Sequence, residues 1–497
     1  MRRDEHDPDG LRLPVKLDTT TNGEFAPIPL ERLHHDANRL ALEQATANAR
    51  RRGVDRRSFL KSSCGAATTL LAFNAAYASA GRTGGYFDLA ADSGLDPALA
   101  DAVLDGRELI FDVQGHFVNP RGAWLEHLPD GARPFAGGIM AEQAGCARGV
   151  GDGDLDHLRC FDAEQFIQDV FMDSDTDLMV LSFVPSRSDR EPLTIEEAAA
   201  TAEIVERLDG THRMLLHGRV NPNQDGDIDA MDELAEHWGV SAWKTYTQWG
   251  PDGRGFWLDD EDTGIPFLEK ARALGVKLIA IHKGIPFGEE SYEHSTCADI
   301  GRVARMYPDL SFLVYHAGYV PNAEEGPYDP ERGDGIDSLV QSVLENDIAP
   351  NTNVYAELGS TWRFLMRDPD SAAHSLGKLL KHVGEDNVLW GTDSIWYGSP
   401  QDQIQAFRAF QIDPALRERH GYPEITPELR AKVFGLNALK PYGRFVEDLL
   451  PKLREDRVMQ ARTAYRAEAA NPHFRTFGPR TRREFLNLLR WNGGEPA

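Results

Sequence analysis

Between residues 108 and 393 the chain runs through one pattern eight times: a short run of apolar, β-branched or aromatic residues, then a longer stretch with helical spacing. That alternation is the signature of βα units on a parallel sheet. The strands it predicts are 108–113, 177–184, 213–220, 241–247, 277–283, 311–317, 354–359 and 388–393. Helical patterns fill 194–208, 227–238, 264–274, 296–307 and 371–383. Eight such units over roughly 300 residues predict a (β/α)8 TIM barrel with a few insertions. A doubly wound sheet is the competing arrangement, and it rarely needs eight units of this regularity.

In such a barrel, catalytic groups project from the C-terminal ends of the strands. Here the first strand runs into Gln114-Gly115-His116, the fifth ends at His282, the sixth at His316 and the eighth at Asp393. A lone histidine is more often a satisfied polar side chain than a ligand. Three histidines and an aspartate, all at strand ends opening on one mouth, reverse that weighting. Neutral imidazoles with a carboxylate form the donor set that Zn²⁺ and similar divalent ions prefer, so a divalent metal is expected, with zinc the first choice. Three or four protein ligands leave a position open for a water whose pKa the ion lowers. Lys244, at the end of the fourth strand, either anchors a substrate carboxylate or pairs with a neighbouring acid. Arg219, Lys283 and Arg363 lie near strand ends too and are weaker candidates for holding an anionic substrate.

The ordered set resembles the amidohydrolase superfamily, in particular the branch of the aminocarboxymuconate semialdehyde decarboxylase-like enzymes. Asn353-Val354-Tyr355-Ala356-Glu357 and Asn387-Val388-Leu389-Trp390-Gly391-Thr392-Asp393 are similar to that branch's seventh and eighth strands, and Val433-Phe434-Gly435-Leu436-Asn437-Ala438 to its closing helix. The resemblance covers about residues 105–445. It implies a metal held by a His-x-His pair, a later histidine and the final aspartate. In this chain that means His116, His282 and Asp393, with Gln114 standing where the first histidine of the pair is expected. Gln114 either ligates through its oxygen, contacts the substrate or the ligands, or marks a site that has lost its metal. Asp393 would then be both ligand and base, and His316 would polarise the substrate carbonyl or shuttle a proton. A lysine at the Lys244 position is carbamylated between two metals in some members; with Gln114 in place, one metal is the expectation.

The segments outside this pattern read differently. Residues 1–50 are polar and show no sustained apolar period. Asp55-Arg56-Arg57-Ser58-Phe59-Leu60-Lys61 then precedes a short apolar run and Ala76-Tyr77-Ala78-Ser79-Ala80, the layout of a twin-arginine export signal with a small-residue cleavage site. The alternative is a basic helix start followed by a buried apolar helix. The expected organisation is thus 1–80 as an N-terminal extension and signal, 81–445 as the barrel and 446–497 as a C-terminal helical extension, the mature enzyme being exported to the periplasm. The 121–160 insertion is a candidate lid, and the aromatics of 246–257 either wall the pocket or pack on the rim. The tail packs on the barrel or makes a homo-oligomer contact. A Cys146–Cys160 disulfide is the one pairing the four cysteines suggest.

A net charge of −26, from 79 acidic and 53 basic residues, argues against a duplex-binding surface, and no stretch is long and apolar enough for a stable membrane span. The expected partners are therefore a small-molecule substrate and the twin-arginine export machinery. The leading reaction is hydrolysis of an amide, ester or lactone-like bond by activated water. The alternatives are non-oxidative decarboxylation of an unsaturated or aromatic acid, and a metal-free barrel that binds a ligand.

Overall fold

The computed structural model describes residues 7, 9–127, 156–287, 289–468 and 470–491. Eight parallel strands follow one another around a nearly closed barrel. They are β1 (Phe111–Gly115), β2 (Leu178–Leu181), β3 (Met214–Arg219), β4 (Ala242–Tyr246), β5 (Leu278–His282), β6 (Ser311–Tyr315), β7 (Val354–Glu357) and β8 (Val388–Leu389). The ring closes where the chain after β8 returns to β1: Val113 N donates to Trp390 O and Asp393 N to Gln114 O, both at 3.0 Å. Each strand sits inside its predicted range or within two residues of it.

Both faces of these strands are buried, which is why they read as continuous apolar runs rather than as an alternation. Phe111, Val113, Val180, Ala242, Ala280, Leu313 and Tyr355 share the barrel interior, and the outer face packs against the helical layer. The two-residue strand period then decides what faces the mouth. The parity that turns Ala242 and Ala280 inward turns Lys244 and His282 inward two residues later. On β1 the register against β2 shifts between Asp112 and Gly115. A shift of this kind re-aims side chains, and here Gln114 and His116 both reach the mouth.

The described residues among the first eighty do not trail free of the barrel. They form three helices, α1 (Arg32–Arg52), α2 (Arg56–Leu60) and α3 (Ser63–Ser79), packed into the same core as the barrel. Ala37, Ala41, Ala45 and Ala49 recur every fourth residue and bury the face of α1 that meets α3. On α3 Leu70, Ala72, Phe73, Ala76 and Tyr77 are all buried. A helix that is apolar all round is a core helix when surfaces exist to cover it. The paired arginines open α2: Arg56 donates to Asp9 O, and Arg57 lies buried, ion-paired with Asp7 and over the Phe474 ring. The segment read as an export signal packs as helices against the barrel in this structure. No helix among the described residues is long and apolar enough to cross a membrane.

The C-terminal extension also belongs to the barrel. Leu449 and Leu453 cover the interior from below, and buried Arg213 ties that helix down through Asp456 Oδ2 at 2.7 Å and Leu453 O at 2.7 Å. Farther on, residues 473–480 cross the mouth and meet the N-terminal stretch, with Thr21 N donating to Pro479 O at 2.9 Å. Cys160 is disulfide-bonded. Cys64 and Cys297 are free, and Cys146, like most of the expected 121–160 lid, lies outside the described residues.

Candidate metal centre

The four strand-end residues converge. His116 Nε2 lies 3.2 Å from Asp393 Oδ1, the His282 and His316 ring centres are 4.4 Å apart, and Gln114 sits between the two pairs. His116, His282, His316 and Asp393 are each 3 % exposed or less. The backbone is bent to present them: His316 and Asp393 adopt φ values of 61° and 58°, and Ser360 one of 52°. Non-glycine residues rarely occupy this left-handed region, and strain of this kind collects at functional sites. Glu357 helps to hold it, accepting from His316 N and Gly359 N. A Cβ at position 359 would displace the Gln114 and Glu357 side-chain oxygens, so glycine lets both approach the backbone there.

Two tautomers are fixed by backbone carbonyls. His116 Nδ1–H donates to Ser182 O at 3.0 Å and His316 Nδ1–H to Gly359 O at 2.6 Å. Both Nε2 atoms therefore offer lone pairs to the site, the arrangement in which imidazoles ligate metals. Burial lowers the His316 pKa to about 4, so its ring is neutral near pH 7. Burial alone would raise the Asp393 carboxyl, yet His116, His316 and the Ser360 hydroxyl, which donates at 2.5 Å, hold it down at about 2. His282 stacks on Tyr246 at 4.5 Å, and neither of its ring nitrogens has a hydrogen-bond partner. Gln114 Nε2 donates to Asp393 Oδ1 at 3.0 Å, while its Oε1 is likewise unpartnered.

Sequence reasoning missed two contributors, because both lie in the stretch assigned to the leader. Asn22 Nδ2 donates to Asp393 Oδ2 at 3.1 Å and to Glu24 Oε2 at 2.5 Å. Glu24 Oε1 stands 3.7 Å from His282 Nδ1. Glu24, His282 and His316 each offer a ligand atom within 4.8 Å of the others. Burial, and then the Asp393 charge, push the Glu24 carboxyl well above its ordinary range. No local pattern announces these residues; only the fold carries them across the mouth.

The proposed anchors divide. Lys244 Nζ is fully buried, 3.7 Å from the Tyr315 ring centre and 4.3 Å from that of Tyr246, with no hydrogen-bond partner. Burial lowers its pKa to about 7. Arg219 is instead engaged by Glu191 and, at 3.0 Å, by Asp227. Arg363 clamps the N-terminal stretch, donating to Lys16 O at 2.6 Å and Asp18 Oδ1 at 2.8 Å. Lys283 pairs with Asp299 at 2.8 Å. These three cations pair with acids of the protein itself, as a buried charge is expected to.

The donor chemistry fits a divalent cation. With its Nδ1–H donated to Ser182 O, His116 turns Nε2 toward the Asp393 carboxylate at 3.2 Å. His282 adds a buried ring whose nitrogens have no protein partner. A divalent cation would satisfy such a set.

A family model described as amidohydrolase matches residues 111–444. The chain belongs to the amidohydrolase family. A search of curated proteins finds no match. Among solved structures, this amidohydrolase is similar to 2,6-dihydroxybenzoate decarboxylase from Rhizobium, at 14% identity and a TM-score of 0.40 over 68% of this chain and 99% of the other. It is also similar to 5-carboxyvanillate decarboxylase from Novosphingobium aromaticivorans, a manganese complex, at 16% identity and 0.41 over 68% and 96%. A third is the putative 2-pyrone-4,6-dicarboxylic acid hydrolase from Pseudomonas putida, at 15% and 0.39 over 68% and 98%. Amidohydrolases of this superfamily are enzymes that use a divalent metal, and this one carries the donors for it.

Proposed function

We propose that this amidohydrolase is a metal-dependent hydrolase of an amide, ester or lactone-like bond. The observation that carries the reading is the pair of fixed tautomers, which aim the Nε2 lone pairs of His116 and His316 at the same buried space as the Asp393 carboxylate. His116, His282 and Asp393 would hold one divalent ion, zinc being the expected one, and Gln114 Oε1 is close enough in chemistry and place to join them. The ion, when bound, supplies Lewis acidity to a water and to the substrate carbonyl. Asp393, ionised, accepts the proton of the attacking water. His316, neutral and held by Gly359, moves a proton through Nε2. Burial of the whole set keeps bulk water out and strengthens each of these interactions.

Lys244 favours a second reading. An unpartnered ammonium buried beside the site can hold a substrate carboxylate, which non-oxidative decarboxylation of an aromatic or unsaturated acid requires. Isotopes separate the two. Lactones, esters, amides and hydroxybenzoates would be offered to the metal-loaded protein in H₂¹⁸O and, in parallel, in D₂O. Hydrolysis is expected to place ¹⁸O in a product carboxylate. Release of CO₂ with deuterium on the carbon that had borne the carboxylate would move the assignment to the lyase. Metal binding without turnover of any class would leave a binding role.

We propose further that the chain is exported by the twin-arginine route uncut, since Asn22 and Glu24 lie at the mouth. Cell fractionation is expected to find full-length protein in the periplasm, and Arg56→Lys with Arg57→Lys to keep it in the cytoplasm; an unchanged distribution would remove the address.

A further inference from the structure

The stretch from Lys16 to Glu24 is a strap laid across the barrel mouth, and it is tied at many points. Arg363 holds Lys16 O and Asp18, Thr20 Oγ1 donates to Thr476 Oγ1 at 2.7 Å, and Thr19 Oγ1 donates to Arg480 O at 2.6 Å. Leu17 within it and Val15 just before it are buried. These contacts deliver one carboxylate, Glu24, 7 % exposed, into a space already bordered by Asp393. Two carboxylates enclosed together, with no cation bonded to Glu24 in the protein, are a costly arrangement. The imidazole they face, His282, has both ring nitrogens unpartnered, and Gln114 Oε1 is unpartnered as well. The first donor of the β1 pair is a neutral amide, a weaker ligand than imidazole.

We propose that Glu24 is a ligand of the divalent cation, supplied by the N-terminal strap to a centre whose β1 pair offers glutamine in place of a first imidazole. The inference rests on the metal-dependent reading and deepens it. Glu24 and Asp393 together carry the two negative charges that neutralise a divalent ion, with neutral imidazoles completing the set. Binding the cation and docking the strap are then one linked event, because a bound ion stabilises whichever arrangement supplies its donors.

The test uses the full chain, stripped with a chelator and reloaded. Zn²⁺ affinity is measured by competition with a chromophoric chelator, and Co²⁺ is used as a spectroscopic probe. Glu24→Gln keeps the shape and removes the charge. It is expected to weaken Zn²⁺ binding by about 100-fold or more, beyond the effect usual for a residue that only orients a ligand, and to change the visible Co²⁺ absorption. Glu24→Asp, which keeps the charge on a shorter arm, is expected to fall between parent and Glu24→Gln; it decides the matter if Glu24→Gln fails to fold. A parent that binds about one equivalent, with variants matching it in affinity and spectrum, overturns the ligand role of Glu24 alone. A parent that binds neither ion overturns this inference and the metal-dependent reading together.

Discussion

Replacing His282 by alanine together with Asp393 by asparagine is expected to leave the purified protein without its equivalent of divalent metal and to lower turnover by on the order of 10³-fold or more, the scale on which acid–base groups act. His282 makes no hydrogen bond, so its loss strips a ligand without orphaning a donor. Asp393→Asn keeps an oxygen for the Ser360 hydroxyl and the Asn22 amide while removing the charge that answers the cation. Elemental analysis of parent and variant after dialysis against zinc gives the metal content directly. Unchanged far-ultraviolet dichroism would place the loss in the centre rather than in the fold. A variant that retains a full equivalent would remove both residues from the ligand set, and one that loses metal but keeps its turnover would detach the chemistry from the metal.

Lys378→Met is expected to destabilise the protein by about 3–5 kcal/mol, the cost of breaking a buried charge network by removing one partner. Lys378 Nζ lies 2.6 Å from Glu325 Oε2 and 2.5 Å from Asp337 Oδ1, and all three side chains are 1 % exposed or less. The lysine sits on the helix Pro369–His382, Asp337 on Gly335–Glu345 and Glu325 on the loop after β6. One ammonium therefore fastens two helices to the loop that follows His316. Methionine fills nearly the same volume and leaves two carboxylates facing each other in a dry pocket. Guanidinium unfolding followed by fluorescence should show a lower midpoint at an unchanged slope. Adding Glu325→Gln and Asp337→Asn should recover most of the loss, because contacting residues do not contribute additively. Recovery absent from the triple variant would mean that the lysine acts through packing alone.

These two experiments lie on either side of what could be read from residues in order. The eight strands were legible because a strand buried on both faces must be a compact apolar run, and a barrel must separate such runs by helices. The strand ends were legible for the same reason: once the run stops, the next polar residue stands at the mouth, and His116, His282, His316 and Asp393 each occupy that place. Lys244 was found the same way, from its place near the end of the fourth predicted strand. The partners of Arg219 and Arg363 were not legible, because a cation near a strand end reads the same whether it meets a substrate or an acid of the protein; Glu191 and Asp18 are distant in sequence and appear only in space.

The sequence by itself determined the barrel, the order of its strands and the strand-end donors, since these rest on local periodicity and on the chemistry of single side chains. The tertiary structure alone decided the fate of the first eighty residues. A run of alanine, leucine and phenylalanine behind paired arginines has the same local properties in an export signal and in a core helix. Local pattern does not say where such a run packs, and here helix α1 and the barrel cover it. Once α1 and α3 are docked there, the strap of residues 16–24 can cross the mouth, where it sets Asn22 and Glu24 against Asp393 and His282, more than 250 residues away in the chain. Such a meeting leaves no trace in spacing or composition.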